Sequence, residues 1–149
     1  MRNHEILTPG GSFNNGSTLG LARIDLKTLT LLPIGKYDKI NARAEMTGTG
    51  DARLFAAFEG TPYNVVEVNK ANAKILSQAP QTAVSYPQGG SNFAFAFWGG
   101  DFWLFVGPGT STEVFQFKPA TGVTTKVSST SAQIVGAGVS TCAPTKPPS

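Results

Sequence analysis

The sequence predicts an all-β fold of four-stranded antiparallel units that recur about every 50 residues. Three observations carry this. Charged residues make up only 14% of the 149, against about 25% in an average domain, which leaves little material for the wet face of long amphipathic helices. The 17 glycines and 10 prolines supply turns instead. Finally, the chain repeats itself: TGTGDARLF at 47–55 returns as FWGGDFWLF at 97–105, with Gly50, Asp51, Leu54 and Phe55 matching Gly100, Asp101, Leu104 and Phe105.

The remaining elements follow from the same reading. NVVEVNKANAKIL (64–76) matches EVFQFKPATGVTT (113–125), so Val66 and Val68 align with Phe115 and Phe117. LARIDLKTLTLL (21–32) fits the same template, with Ala22 and Ile24 on Val66 and Val68. QIVGAGVSTCAP (133–144) echoes the inner half, Gly136 and Gly138 standing for Gly48 and Gly50. Apolar and polar residues alternate on either side of Asn69–Asn72, the pattern of strand, turn and strand. The Gly-Asp pairs read as tight turns, where glycine adopts positive φ at little cost.

Two hairpins in series make a unit of the length of a propeller blade. The sequence thus predicts a β-propeller-like fold with blades at about 43–77 and 93–127. A composite third, from 21–34 and 132–142, gives about three blade equivalents. Residues 1–20 form a Gly-rich segment with room for one strand, the part 4–13 completing the composite blade. Residues 143–149 are a Pro-rich tail. The small residues Ala44, Gly48, Ala94 and Ala96 suit first strands that converge near a crowded axis. Closed propellers have four to eight blades, so the expectation is a partial propeller: half of a homo-oligomeric ring, or a piece of a longer chain.

ARIDLKTLTLLPIG, AEMTGTGDARLFAAF, AFAFWGGDFWLFV and QIVGAGVSTCAP resemble the uncharacterised secreted or lipoprotein-like β-propeller-repeat proteins of myxobacteria and their relatives. The resemblance covers about residues 20–144. It implies a propeller-like fold and an extracytoplasmic site, and no chemistry.

Composition narrows the function. The net charge is +3, and the basic residues are scattered singly, unlike the concentrated basic face of a nucleic-acid binder. No run of 18 apolar residues exists to form a spanning helix. MRNHEILTPGG carries no apolar leader core. Low charge with abundant Thr, Ser and Gly leans towards an extracellular or cell-surface place, with the cytoplasm as the alternative.

The chemistry-bearing residues are few. His4 is the one histidine and Cys142 the one cysteine, so a zinc cluster of the usual spacing has no ligands. No cofactor is expected. Cys142 reads as a small buried residue of the last strand; pairing with another cysteine outside this chain and a reactive thiolate are the alternatives. Neither Gly-rich stretch is followed by the Gly-Lys-Ser/Thr of a phosphate loop. Asn15-Gly16-Ser17 fits a glycosylation sequon, by chance in a bacterial protein.

Asp51 and Asp101 occupy equivalent positions. They ring one face near the axis, where a cation or a sugar hydroxyl could bind; the simpler role is to fix a turn. Trp98, Phe102 and Trp103 flank the second Gly-Asp, with Trp98 expected on the opposite face from Phe102 and Trp103. They are a sugar platform or a protein-contact point if exposed, and packing between blades if not. The expected function is a non-enzymatic, self-associating binding or scaffold module. A carbohydrate-binding lectin-like propeller using Trp98, Trp103 and Asp101 is the alternative. A hydrolase with a carboxylate pair, Asp51 and Asp101, is the third reading.

Overall fold

The computed structural model describes residues 20–84, 92–107, 109–140 and 142–146, and the backbone of 6–10. His4 and the sequon at Asn15 lie outside the described residues. Eleven strands and no helix occur in what is described. Strands β1 (Ile6–Gly10), β2 (Gly20–Ile24) and β3 (Leu31–Lys36) form the first sheet. The second contains β4 (Ala44–Gly48), β5 (Leu54–Phe58), β6 (Tyr63–Val68) and β7 (Ile75–Gln81). The third contains β8 (Asn92–Trp98), β9 (Asp101–Gly107), β10 (Thr112–Lys118) and β11 (Val123–Thr130). Within each sheet, neighbours in sequence pair antiparallel.

The first strands of the second and third sheets converge, β4 lying against β8, and β1 also lies against β4. Their small residues permit this approach, Ala44, Ala94 and Ala96 all being buried. The second sheet lies between the other two. Leu54, Ala56, Phe58, Val66 and Val68 pack towards the first sheet, around Leu21 and Tyr37. Phe55, Ala57, Tyr63 and Val65 pack towards the third, against Phe95, Phe102 and Leu104. Every residue of β5 is consequently buried, which explains why LFAAF is an unbroken apolar run rather than an alternation.

The two Gly-Asp turns are not alike. Gly99 and Gly100 have φ of 66° and 88° between the paired residues Trp98 and Asp101, the two-residue turn that matches strand twist. Between Gly48 and Leu54, five residues intervene. There the positive φ falls on Ala52, at 64°, and Thr49 closes the loop: its N–H donates to the Arg53 carbonyl at 3.0 Å.

The composite third blade is corrected. Residues 133–140 carry no strand, while β1, inside the segment 4–13 expected to add a strand, is the third strand of the first sheet. A strand forms only beside an open edge, and 133–140 runs along the third sheet, whose inner edge is β8. Cys142 is exposed, not buried in a last strand. The turn from Ser140 to Ala143, closed by a 2.9 Å hydrogen bond from the Ala143 N–H to the Ser140 carbonyl, leaves its side chain outside.

Phe58 is fully buried, edge-on to Tyr37 with ring centroids 4.9 Å apart. Burial pushes the Tyr37 hydroxyl up to about 12. Phe58→Ala is expected to cost roughly 3–5 kcal/mol in urea unfolding, whereas Leu29→Ala, at a side chain 77% exposed, is expected to change stability by about 0.5 kcal/mol or less.

Candidate functional site

A cleft of about 380 Å³ opens between the second and third sheets, at the end where the β4–β5 and β8–β9 turns lie. Its walls are aromatic: Phe55 and Phe102 stand 4.6 Å apart across the sheet interface, with Phe97 and Phe117 beside them. Its rim is polar, with Asp51, Arg53, Ser77 and Gln78.

The rim is built by the loop before β5. The Thr49 hydroxyl accepts from the Arg53 N–H at 3.1 Å and donates to the Asp51 carboxylate. That hydrogen bond, more than the guanidinium of Arg53, holds the Asp51 carboxyl below its ordinary value. Arg53 Nη1 lies 4.0 Å from Asp51 Oδ2. Arg53 forks onto Glu67 with bonds of 2.9 and 2.7 Å, and its guanidinium lies 4.8 Å from the centre of the Phe55 ring. The paired Arg53 keeps the Glu67 carboxyl low. Lys70 Nζ donates to the Ala52 carbonyl at 2.6 Å and fixes the loop from the other side.

Of the five residues singled out from the sequence, two meet in this cleft: Asp51 and Phe102. Phe102 is 2% exposed and stacked among Phe95, Phe97 and Phe117, so it is packing between sheets and not a platform. Trp98 and Asp101 are a cross-strand pair, and Trp103 pairs with Ala96 two places along. All three therefore share the face of the third sheet that points away from the cleft. Trp103, expected opposite Trp98, is on its side, its indole N–H donating to the Trp98 carbonyl at 3.3 Å. Trp98 is 48% exposed. Asp101 accepts from Gln116 Nε2 at 2.7 Å.

Asp51 and Asp101 stand at the same end of their sheets but face different spaces, because the whole third sheet separates the cleft from the face that Asp101 shares with Trp98. Arg53 and Glu67 are the site residues that the reading of repeats missed. The signal was available in the ladder: Glu67 lies opposite Phe55, so Arg53, two places before Phe55 on the same face, is its diagonal neighbour. Asp51 and Glu67 are both held in their ionised form by their neighbours, the reverse of what a general acid requires. Among the described residues no group of three His, Cys, Asp or Glu is placed to hold a metal, and no helix is long and apolar enough to cross a membrane.

No family model matches the chain, and no curated protein matches it. Among solved structures, it is similar to a GH43 glycoside hydrolase engineered to display both endo-xylanase and exo-arabinofuranosidase activity. The TM-score is 0.54 at 15% identity, over 72% of this chain and 22% of that one. The chain thus spans about a fifth of the structure it matches. At this identity the likeness concerns the fold: the chain is all-β and propeller-like.

The Glu67 carboxyl is lowered in the folded protein, so the stability it contributes is present above its ordinary value of 4.5 and is lost as the pH falls through the folded one. Glu67→Gln is expected to be less stable than wild type at pH 7. The difference should shrink steadily in urea melts taken at successively lower pH below 4.5.

Proposed function

We propose that this protein is a non-enzymatic, self-associating binding or scaffold module: about three blade equivalents, forming half of a propeller-like ring closed by a second copy. It works at or outside a bacterial cell surface, a placement supported by its low charge and its wealth of Thr, Ser and Gly. The observation that carries the reading is the pair of outward faces at the two ends of the sheet array. On the third sheet, Trp98, Trp103, Phe105 and Val114 lie on the face away from the second sheet. On the first, Ile24 and Leu31 are cross-strand partners on the face away from Leu21, and Leu31 is 51% exposed.

The repeat register supports pairing of these faces. Phe55 and Val65, which receive the third sheet, align with Phe105 and Val114. Val66 and Val68, which receive the first sheet, align with Ala22 and Ile24. The third sheet therefore presents the face that accepts a following sheet, and the first presents the face that follows one. Two copies joined head to tail close with two-fold symmetry and give six sheets, within the range of closed rings. An apolar patch of this kind is rarely left to solvent.

The exposed Trp98 beside Asp101 favours one further reading, a carbohydrate-binding surface. It requires the face to be free in solution.

Light scattering during size exclusion is expected to give twice 15.6 kDa. Phe105→Lys should return the mass to 15.6 kDa with its melting transition kept, while Leu76→Lys, at a 56% exposed position of β7 on the outer edge of the second sheet, should leave it doubled. A wild type that stays at 15.6 kDa and binds a glycan array through Trp98 would replace this reading with the carbohydrate one.

A further inference from the structure

The first sheet has three strands where the others have four. Its missing strand can be identified. The repeat aligns β2 with β6, since Ala22 and Ile24 correspond to Val66 and Val68. Then β3 corresponds to β7, and β1, which pairs with β2, corresponds to β5. The absent strand is the counterpart of β4, the one nearest the axis, and among the described residues β1 is the open edge of its sheet.

The chain path names a candidate for that place. After β3 the chain enters the innermost position of the second sheet as β4, and after β7 it enters the innermost position of the third as β8. After β11 the same step leads to the innermost position of a following sheet. Residues 132–140 and 142–144 take this route. At one end the buried Thr112 hydroxyl donates to the Ala132 carbonyl at 2.9 Å and accepts from the Ile134 N–H at 3.0 Å. At the other, the Pro144 carbonyl accepts from the Gly99 N–H at 3.0 Å. The segment therefore climbs from the start of β10 to the β8–β9 turn, in the direction of β8. Its residues repeat the inner-strand pattern, with Gly136 and Gly138 standing for Gly48 and Gly50. Yet Val135 is 68% exposed, and 133–140 belongs to no strand.

We infer that residues 135–140 of one copy add to β1 of a second copy as the fourth strand of its first sheet. The inference rests on the self-association proposed above and names what completes it: a strand contributed in trans. Three sheets fall below the four to eight that close a ring, and in the self-association proposed above the following sheet is supplied by a second copy. The direction is right, because a segment running with β8 is antiparallel to a strand in the β5 position. Pro9 withholds one backbone donor from β1, and the other residues of the strand retain theirs. Strand addition to an open edge is an established mode of chain recognition.

Hydrogen exchange of the β1 amides, followed in the wild type as it is diluted, tests this together with the doubled variant Val135→Pro/Gly136→Pro. The substitutions remove a backbone donor whichever residue of the two faces β1. β1 amides should exchange roughly tenfold faster or more on dilution to the monomer and in the variant, with β5 and β9 amides unchanged. The variant should also lose the doubled mass. A variant that keeps both its doubled mass and its β1 protection overturns the strand addition and leaves self-association standing. Protection of β1 that does not fall as the wild type dissociates means addition within one chain and also overturns it. A wild type that is monomeric at all concentrations removes both proposals.

Discussion

A sheet with two apolar faces must have both of them covered, and the architecture depends on that constraint. The second sheet satisfies it. Leu54 and Phe55, adjacent in β5, bury their side chains on opposite faces, in two different cores. Nothing in β5 is left to meet water: the strand is buried on both faces and hydrogen-bonded to β4 and β6 along both edges. The crowded convergence of β1, β4 and β8, and the aromatic stack around Phe102, follow from pressing three such sheets together. The end sheets inherit the same sequence pattern with one neighbour fewer, and their outward faces are the direct consequence.

Most of this architecture could be read from the sequence because the repeat carries it. The spans expected at 43–77 and 93–127 overlap β4–β7, which run from Ala44 to Gln81, and β8–β11, which run from Asn92 to Thr130. Small residues on the inner strands and glycine at the Gly99–Gly100 turn behave as short-range chemistry demands. What failed needed partners that local pattern does not encode. Residues 132–142 have the composition of an inner strand, but a strand exists only against an edge, and in one chain this segment does not reach one. Cys142 went with it: its burial was inferred from a strand that is not there. The turn at Asp51 was misjudged because matching Gly-Asp pairs concealed a difference in loop length, five residues against two.

The site was less legible than the fold, for a geometric reason. The repeat makes Asp51 and Asp101 equivalent, and they are, each at the tip of an inner hairpin. Equivalence in a stack of sheets means facing successive spaces, not the same one. Phe102 follows Asp101 in sequence and so points the other way, into the cleft wall beneath Asp51. Arg53 and Glu67 escaped notice because the third sheet does not repeat them: their counterparts are Trp103 and Gln116. Pairing register would have found them, since Phe55 lies opposite Glu67 in the ladder.

That exchange of residues bears on why one sheet boundary holds a cleft and the other ends in an open face. Between the second and third sheets, a guanidinium and a carboxylate bond each other at the rim, half in water, where a surface pair is tolerated at little net gain. A charge pair carried to the equivalent place on the outward face would have to be desolvated by any arriving chain, a cost that its mutual attraction often fails to repay. Trp103 and Gln116 carry no such cost. The indole offers area, and its N–H is already satisfied within the sheet by the Trp98 carbonyl; Gln116 is occupied by Asp101. On the outward face the indole and the Gln116 amide are bonded internally, and its charges are single ones, the hydrogen-bonded Asp101 and Lys118 at the end of β10. Depletion of charge with enrichment of tryptophan is how the core of a protein interface differs from ordinary surface. In the self-association proposed above, these departures from the repeat fall at the positions where the third sheet, unlike the middle one, receives a second copy.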